Sequence, residues 1–382
     1  MSQLSYMDKL LDGVEVEWKE LGNSITFQRG KRLVKSQLKE SGEYAVFQNS
    51  MTPLGYYHES NVSAKSAFVI CAGAAGEIGF SDDSFWAADD VYYAEQSEFL
   101  NSKYLYHFLL TQKHKIASQV RRASIPRLSK SAIEKLIVPI PCPNNPEKSL
   151  AIQAEIVRIL DAFTAMTAEL TAELTAELNL RKKQYNYYRE KLLASELPSS
   201  KTATLGEILD MRAGKHIKAK DISAIKNTEH KYTCFGGNGS RGFVQEYSHE
   251  GDYALIGRQG ALCGNVKRAK GKFYATEHAV VCTPKEEIDI DWAFHMLTFM
   301  NLNQYKSQSA QPGLAVGNLA NLTIIVPPIS EQKKIAKILN QFDTLTTSLQ
   351  EGLPREIELR QKQYEYYRDL LLSFPKSTEG AV

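Results

Sequence analysis

The sequence predicts an α+β fold of two similar halves, each with a mixed globular block followed by a long helix. The first observation is a repeat: residues 180–189 read LRKKQYNYYR and residues 359–368 read LRQKQYEYYR, an offset of 359 − 180 = 179 residues. The second is the apolar spacing from Ile152 onward, whose steps of four and three are typical of helices packed along one another. The third is the mixture of short β-type runs and Gly-rich turns before each helical block.

The repeat extends upstream of the tyrosine-rich motif at the same offset. Gln153, Ile156, Ile159, Leu160 and Phe163 match Gln332, Ile335, Ile338, Leu339 and Phe342. Earlier in each half the likeness is fainter and the offset drifts: Leu21-Gly22 matches Leu205-Gly206, Gly30-Lys31 matches Gly214-Lys215, Tyr44 and Phe47 match Tyr232 and Phe235, and Val138-Pro139 matches Val326-Pro327. A partial third copy, YMDKLL at residues 6–11, resembles residues 188–193, and we therefore expect the two chain ends to lie close together.

These matches divide the chain into six segments. They are an N-terminal repeat fragment (1–13), a first globular domain (14–149), a central helical spacer (150–196), a second globular domain (203–330), a distal helical spacer (331–374) and a tail (375–382). Each globular domain has one helix-like stretch, near 103–111 and 292–300, and ends in a strand-like run, 136–140 and 322–326. The Gly-rich loops 73–76 and 257–260 follow a strand in each copy and are interpreted as matched.

The composition is that of a globular protein and excludes several classes. No apolar run is long enough to cross a bilayer, and the N-terminus lacks the apolar stretch of a signal peptide. The five cysteines form no C-x-x-C pair, which favours reduced thiols and a cytoplasmic protein over a disulfide framework or a zinc site. Net charge is only +2, but residues 101–140 hold eight Lys/Arg against one Glu, and residues 201–275 hold thirteen Lys/Arg against seven acids. Such local basic surfaces suit phosphate contact, although solvated loops would give the same pattern.

The helical blocks differ in two details. The central block contains three copies of Thr-Ala-Glu-Leu at 167–178 and predicts one helix over about 150–195, some 65–70 Å long. The distal block, 331–373, has a matching apolar stripe but is interrupted at Gly352 and Pro354, where we expect a kink or a restart. The two helices would most simply bury their stripes against each other as an antiparallel coiled coil. Alternatively, each binds a partner's helix.

Motifs for chemistry are weak. Residues 237–242 formally read G-x-G-x-x-G, but a strand-like run follows instead of a helix, so a Gly-rich hairpin is favoured over a dinucleotide site. His278 beside Glu277 and His249 beside Glu250 are interpreted as ordinary neighbours. We predict no catalytic residue and no metal ligand in this chain.

The alternation of two dissimilar α+β blocks with two near-identical helices, together with the Thr-Ala-Glu-Leu repeats and the R-x-K-Q-Y-x-Y-Y-R motifs, resembles the specificity subunit of type I restriction–modification systems. The tetrapeptide repeats are similar to those of the IC group of that family. The resemblance implies that the globular blocks are target recognition domains, each reading one half of a bipartite, asymmetric DNA sequence. The helices would be spacers on which two modification (methyltransferase) subunits dock.

The resemblance also implies partners that carry the chemistry. S-adenosylmethionine would bind the methyltransferase subunits, and ATP and Mg would serve the restriction (translocase/nuclease) subunits; this chain would hold no cofactor. Tyr185, Tyr188, Tyr364 and Tyr367 are the candidates for methyltransferase docking. Arg, Lys, Gln and Asn on loops are the residue types that read bases and contact phosphates. The candidates are Arg29, Lys31, Arg32, Gln48, Asn49, Arg121, Arg122 and Arg127 in the first domain, and Lys215, Asn238, Arg241, Arg258, Gln259 and Gln311 in the second.

Two other classes compete with this reading. A stand-alone DNA-binding regulator would dimerise through the helices and act without methyltransferase partners. A structural scaffold would carry the same basic patches incidentally. A stoichiometric complex with an S-adenosylmethionine-binding partner favours the specificity subunit, whereas a free homodimer favours the regulator.

Overall fold

A computed structural model describes residues 10–11, 13–260, 262–308, 312–348 and 351–374. The chain divides into two compact units. Unit 1 comprises Met1–Ala172 with Ile357–Val382, and unit 2 comprises Glu173–Glu356. Each unit therefore contains one globular domain together with parts of both helical blocks.

The first globular domain is built from nine strands and three helices. The strands are β1 (Val16–Glu20), β2 (Phe27–Arg29), β3 (Tyr44–Phe47), β4 (Gly55–Tyr57), β5 (Ser66–Ile70), β6 (Ile78–Ser81), β7 (Trp86–Ala87), β8 (Val91–Ala94) and β9 (Ile137–Pro141). The helices are α1 (Ser102–Thr111), α2 (Lys113–Ser118) and α3 (Lys130–Glu134). The domain is followed by the long helix α4 (Pro146–Leu193).

The second domain repeats this plan. Its strands are β10 (Lys201–Thr204), β11 (Leu209–Ala213), β12 (Tyr232–Gly236), β13 (Gly239–Val244), β14 (His249–Gly257), β15 (Val266–Ala275), β16 (Ala279–Pro284) and β17 (Thr323–Val326). Its helices are α5 (Leu205–Ile208), α6 (Ile290–Phe299) and α7 (Val316–Ala320), and the distal helical block forms α8 (Ile329–Thr347) and α9 (Leu353–Leu371). The hairpin of β12 and β13 spans residues 237–242, as expected for the Gly-rich segment.

The two domains share one sheet topology. In unit 2 the order is β11-β16-β14-β15-β12-β13, and in unit 1 the four-stranded sheet β2-β8-β5-β6 and the three-stranded sheet β4-β3-β7 cover the same pairings. The difference lies in one strand: β15 is continuous, whereas residues 82–85 separate β6 from β7. The parallel pairings of β3 with β7 and of β12 with β15 therefore correspond.

Each domain begins and ends in a two-stranded ribbon. Strand β1 pairs antiparallel with β9, and β10 pairs antiparallel with β17. Because the first and last strands are hydrogen-bonded, the chain enters and leaves each domain at the same place. The matched Val-Pro sequences lie in or directly after the closing strands, which explains why they recur.

The repeated glutamines fasten each domain to its helix. Gln153 is fully buried; its Oε1 accepts from the Asn101 N–H (2.8 Å) and its Nε2 donates to the Phe99 carbonyl (2.9 Å). Gln332 does the same for the Asp289 N–H (2.8 Å) and the Glu287 carbonyl (3.1 Å). A buried amide must have its hydrogen bonds satisfied, and these backbone groups precede α1 and α6. The glutamines thus fix the start of both helices.

Helix α4 is unbroken over 48 residues and includes all three tetrapeptides. It begins four residues before the expected position because Asn145 Oδ1 accepts from the Lys148 N–H (3.0 Å) and Pro146 occupies the first turn, a favoured helix start. The division between units falls at 172/173, inside the tetrapeptides. The distal block restarts as predicted. At Gly352 a Cβ atom would lie 2.5 Å from the Thr344 carbonyl oxygen, so the restart needs glycine.

Both described chain ends contribute to one hydrophobic core in unit 1. Leu11 belongs to the same buried cluster as Leu371, Leu372 and Phe374. This shared core supports the expectation that the ends lie close together; residues 6–9 and the tail lie outside the described residues. All five cysteines are unpaired thiols. Among the described helices, none is long and apolar enough to span a membrane.

Candidate DNA interface

A five-residue segment in each domain joins the loops that carry the predicted DNA contacts. We call residues 87–91 in unit 1 and 275–279 in unit 2 the hub segments. In unit 1 the backbone hydrogen bonds run from Gly30 N to Val91 O (2.9 Å), from Lys31 N to Ala87 O (2.9 Å), from Ala88 N to Phe47 O (2.9 Å) and from Cys71 N to Asp90 O (2.7 Å). The loops at 29–32, 47–50 and 71–76 therefore meet at one edge of the domain.

The hub segment of unit 2 makes the same four bonds. They run from Gly214 N to Ala279 O (3.0 Å), from Lys215 N to Ala275 O (2.9 Å), from Thr276 N to Phe235 O (2.9 Å) and from Arg258 N to His278 O (2.9 Å). The match of Gly30-Lys31 with Gly214-Lys215 is therefore confirmed as a structural equivalence. Both glycines are required by close approach: an added Cβ would lie 2.2 Å from the Ala88 oxygen at Gly30 and 2.2 Å from the Ala275 oxygen at Gly214.

An exposed basic hairpin completes the edge of unit 1. The backbone groups of Arg121 and Arg127 bond in both directions, at 2.8 and 3.1 Å, and Arg122 lies exposed in the hairpin between them. Gly73 N donates to the carbonyl of Pro126 (3.2 Å), while Ala74 N donates to the carbonyl of Asn49 (2.9 Å). The turn at Gly73 thus lies between the hairpin and the loop that carries Gln48 and Asn49.

The corresponding turn in unit 2 corrects the predicted loop match. Gly260 N donates to the Pro312 carbonyl (3.0 Å), as Gly73 N does to Pro126. Gly76 and Gly264 share φ = 93° and donate back to Ile70 and Gly257. The equivalents of Gly73 and Gly76 are therefore Gly260 and Gly264. The match of 73–76 with 257–260 was wrong because this turn is one residue longer in unit 2, while an unrelated G-x-x-G spacing begins at Gly257.

The remaining candidates of unit 2 lie on the same edge. A Cβ at Gly237 would lie 2.7 Å from the Gln259 oxygen, which places the β12–β13 hairpin beside the Arg258-Gln259 loop. Asn238 Oδ1 accepts from Asn265 Nδ2 (3.0 Å), and the Arg241 side chain covers Gly236. Gln311 lies outside the described residues.

Most of the candidate side chains are solvent-exposed. Gln48 and Arg258 are half-buried, and the exposed ones are Arg29, Lys31, Arg32, Asn49, Arg121, Arg122, Arg127, Lys215, Asn238, Arg241 and Gln259. Arg29 Nε donates to the Asp89 carbonyl (2.6 Å), which orients its guanidinium along the hub segment. The structure therefore gathers the candidates of each domain on one basic edge, which is the arrangement that a duplex-contacting surface needs.

One charged group on this edge was not predicted as a site residue. The Glu277 carboxylate, in the hub segment of unit 2, accepts from His216 Nδ1 at 3.0 Å and lies 3.4 Å from His278 Nε2. Burial raises the pKa of Glu277. Hydrogen bonds from the backbone and from His216, with the charges of the two histidines, lower it by a larger amount, so the pKa is below its ordinary value. Among the described residues, its ion pairs are with histidines alone.

The four predicted docking tyrosines are engaged inside their own units. Tyr185 is buried and its hydroxyl bonds His295 Nδ1 (3.2 Å), so its ring packs in the core of unit 2 instead of facing a partner. Tyr188 stacks on Phe342 with ring centroids 5.6 Å apart, and Tyr367 packs on Phe163 at 5.9 Å.

The fourth tyrosine and its neighbours add two points. Tyr364 accepts a hydrogen bond from Thr164 (2.9 Å). Contacts of 163 with 367 and of 164 with 364 run in opposite chain directions, as in antiparallel helices. The most exposed tyrosines of the two motifs are Tyr187 and Tyr366, each with 58% of its surface accessible, and Tyr188 is also exposed, at 39%.

Comparison with known proteins identifies the family. Residues 13–180 and 199–359 match the family described as type I restriction modification DNA specificity domain. The chain belongs to this family. It is 46% identical to the type I restriction enzyme EcoprrI specificity subunit of Escherichia coli, over 92% of this chain and 93% of that one. It is 38% identical to the EcoR124I/EcoR124II specificity subunit of the same organism, over 98% of both chains. Its function is accordingly DNA target recognition as a type I specificity subunit.

Solved structures agree on the fold. The crystal structure of the type I restriction-modification S subunit from M. genitalium aligns with a TM-score of 0.53 and 20% identity, over 96% of this chain and 98% of that one. A structure of a type I R-M system, described in terms of complex assembly and conformational transition, aligns with a TM-score of 0.63 and 15% identity, over 94% and 97%. The predicted α+β class with two repeated recognition domains is confirmed.

Proposed function

We propose that each basic edge reads one half of a bipartite, asymmetric DNA sequence. The hub segments support this because they bring base-reading and phosphate-binding residue types from three loops onto one surface in each domain. The two edges share a backbone frame but differ in side chains: Arg258 in unit 2 replaces Cys71, and Gly313 replaces Arg127. Different side chains on the same frame present different hydrogen-bonding patterns to a groove, so the two half-sites differ in sequence.

The helical spacer sets the separation of the half-sites. Helix α4 passes through the unit boundary without interruption, so its length determines the rise and rotation between the residues on either side. The repeated tetrapeptide is the part of the helix whose copy number can change without disturbing either core. Residues 167–178 are absent from both buried clusters.

Two methyltransferase subunits dock on the repeated tyrosine surfaces. Tyr187 and Tyr188 form an edge-to-face pair with centroids 5.3 Å apart, and Tyr366 and Tyr367 form the same pair at 5.5 Å. Exposed aromatic residues are enriched in protein interfaces because they bury a large area at low entropic cost. Two equivalent patches, 179 residues apart, suit two identical partners. Tyr187 and Tyr366 provide the most accessible rings.

The partners supply the chemistry. S-adenosylmethionine binds the methyltransferase subunits, and ATP and Mg bind the restriction subunits. This chain performs no catalytic step itself, and the complex acts in the cytoplasm. The names of the relatives support the assignment, since both are specificity subunits of restriction enzymes. The complex-assembly structure supports a role within a larger enzyme.

Affinity purification of the tagged full-length chain from its native host tests the proposal. The expected product is a complex with two copies of an S-adenosylmethionine-binding subunit per chain, and it methylates a two-part site. The Tyr187→Ala/Tyr366→Ala double variant is expected to lose the partner, whereas Tyr44→Ala, remote from both helical blocks in sequence, keeps it. A free homodimer that binds DNA tightly would instead establish a stand-alone regulator and contradict the proposal.

A further inference from the structure

Glu277 differs in charge from the rest of the edge on which it lies. Its hub segment is bonded to the loops of Lys215 and Arg258, and Arg241 lies on the neighbouring hairpin. Phosphate contact calls for donors and positive charge at these positions. A carboxylate in the middle of such a surface repels phosphate. Contact with the DNA phosphates therefore does not explain why Glu277 lies on this edge.

The contacts of Glu277 leave one carboxylate oxygen without a donor. Oε1 accepts from His216, whereas Oε2 is screened from solvent and has no hydrogen-bond partner among the described residues. An ionised oxygen without a partner is costly. The last side-chain torsion of glutamate is soft and nearly two-fold, and 32% of the side chain is accessible. Because Oε2 is itself screened from solvent, it becomes available to a ligand only when the carboxylate turns about this torsion.

The carboxylate is also held in its charged form. Burial is the largest single influence and raises the pKa of Glu277, but the backbone and His216 hydrogen bonds, together with the charges of His278 and His216, lower it by more, so the pKa is below its ordinary value. Glu277 is therefore an acceptor, and not a donor, at neutral pH. In the major groove the donors are the exocyclic amino groups, N4 of cytosine and N6 of adenine.

We infer that Glu277 reads a base amino group, on cytosine or adenine, in the half-site contacted by the second recognition domain. This inference rests on the proposed function and names a specificity-determining residue within it. His216 is a positioning residue: its imidazole holds Oε1 and directs the carboxylate toward the groove. Asp89 occupies the equivalent hub position in unit 1, where its backbone carbonyl accepts a hydrogen bond from Arg29 Nε.

Methylation-site mapping with the purified complex tests the inference. Glu277→Ala is expected to relax the sequence requirement at one base pair of one half-site, reducing discrimination there by about 5- to 150-fold. The other half-site and the spacer stay unchanged. Glu277→Gln keeps the shape and adds a donor, so it is expected to change the preferred base at that same position. Glu250→Gln, at the opposite end of β14 beside Lys272, is the matched control and is expected to leave both half-sites unchanged.

Three results would overturn the inference. The first is an unchanged half-site in both Glu277 variants, and the second is a uniform loss of affinity for all sequences, which would make Glu277 an anchor for the His216 loop. The third is His216→Ala leaving discrimination at that base pair at the wild-type level, which would show that the imidazole does not position the carboxylate. A wild-type complex without any bipartite target would refute the proposed function itself, whereas a bipartite target that the Glu277 variants leave intact refutes this inference alone.

Discussion

The Nε2 atom of His295 lies 2.8 Å from the Oδ1 atom of Asn340, where the second recognition domain packs on its helix. Asn340 Nδ2 also donates to Asp291 (2.7 Å), and Arg268 bonds Asp291, His295 and Asn340. In unit 1 the equivalent position of Asn340 is Asp161, which binds His107 at 3.1 Å and Lys103 at 3.0 Å. The two recognition domains thus pack on their helices at equivalent positions, but the helix residue is a neutral Asn340 in unit 2 and an acidic Asp161 in unit 1.

The Asn340→Ala variant is expected to destabilise unit 2. It leaves His295, Asp291 and Arg268 without their common amide partner in a half-buried site, at a cost of about 1–3 kcal/mol. Hydrogen exchange followed by mass spectrometry measures the change, and faster exchange is expected in α6 and α8. Gln341→Ala, at the exposed neighbouring position, is the control. Equal exchange rates in the two variants would show that the Asn340 network does not stabilise the packing of α6 on α8.

Stability is expected to fall as the pH falls from about 6.5 to 4. Burial is the main cause that lowers the pKa of His295 from 6.5 to about 4, against the hydrogen bond that its Nε2 donates to Asn340 Oδ1. The folded state therefore binds fewer protons than the unfolded state in this window, and the imidazole contributes a loss of about 2 kcal/mol at pH 5 relative to pH 8. Burial also lowers the pKa of His107, in the same direction.

Denaturant unfolding at several pH values measures this effect. His295→Gln is expected to show a smaller loss of stability between pH 8 and 5 than the wild type, because glutamine does not titrate. The exposed His58 provides the control variant, His58→Gln, which is expected to follow the wild type. A His295→Gln curve parallel to that of the wild type would contradict the prediction.

Gly214→Ala is expected to displace the hub segment of unit 2. The new methyl group would meet the carbonyl oxygens of Ala275 and Thr276 at 2.2 and 2.6 Å, so the backbone must move. The expected cost is about 1–3 kcal/mol, and affinity for DNA falls with it. Gly317→Ala, where no atom lies within 4 Å, is expected to be neutral or stabilising. Comparable thermal stability and DNA affinity in the two variants would show that the close approach is not required.

Arg122→Ala is expected to weaken binding of the complex to all DNA sequences alike. Arg122 lies exposed on the basic hairpin of unit 1, where loss of one phosphate contact reduces the slope of log K against log salt by about 0.9. Titrations at several salt concentrations measure the slope. Lys19→Ala is the control, because Lys19 lies on the ribbon strand β1 and pairs with Glu17. A changed half-site with an unchanged slope would show that Arg122 reads a base.

Deletion of residues 171–174 is expected to shorten the unread spacer of the DNA target by one base pair. Four helical residues contribute about 6 Å and a net rotation of about +40°. One base pair contributes about 3.4 Å and +35°, so rotation is nearly matched. Methylation-site mapping of the variant complex measures the spacing. Altered half-site sequences, or an unchanged spacer, would contradict the prediction.

Much of the fold follows from local sequence. The heptad spacing predicted α4, Gly352 and Pro354 predicted the restart between α8 and α9, and Gly30-Lys31 predicted a structural equivalence that the backbone confirms. These features depend on periodicity and on residues with unusual backbone requirements. Both are readable from a single chain.

Tertiary contacts account for what could not be predicted. Tyr185 is buried because its helical face packs on His295, which is 110 residues away. Glu277 could not be recognised as a candidate because its partner His216 lies 61 residues away in the sequence. The sequence could not show that Gly260, and not Gly257, is the equivalent of Gly73. The equivalence depends on the backbone hydrogen bond from Gly260 to Pro312, which only the folded chain forms.

The hub segments have a consequence for evolution. Their bonds to the surrounding loops use main-chain N–H and C=O groups, which every residue type except proline provides in full. Substituting the side chain of Lys31, Arg258 or Glu277 therefore leaves these main-chain hydrogen bonds in place. A point mutation can change what an edge recognises while the scaffold stays folded. Changes in side chains can therefore accumulate one at a time at each edge on a backbone frame that stays the same.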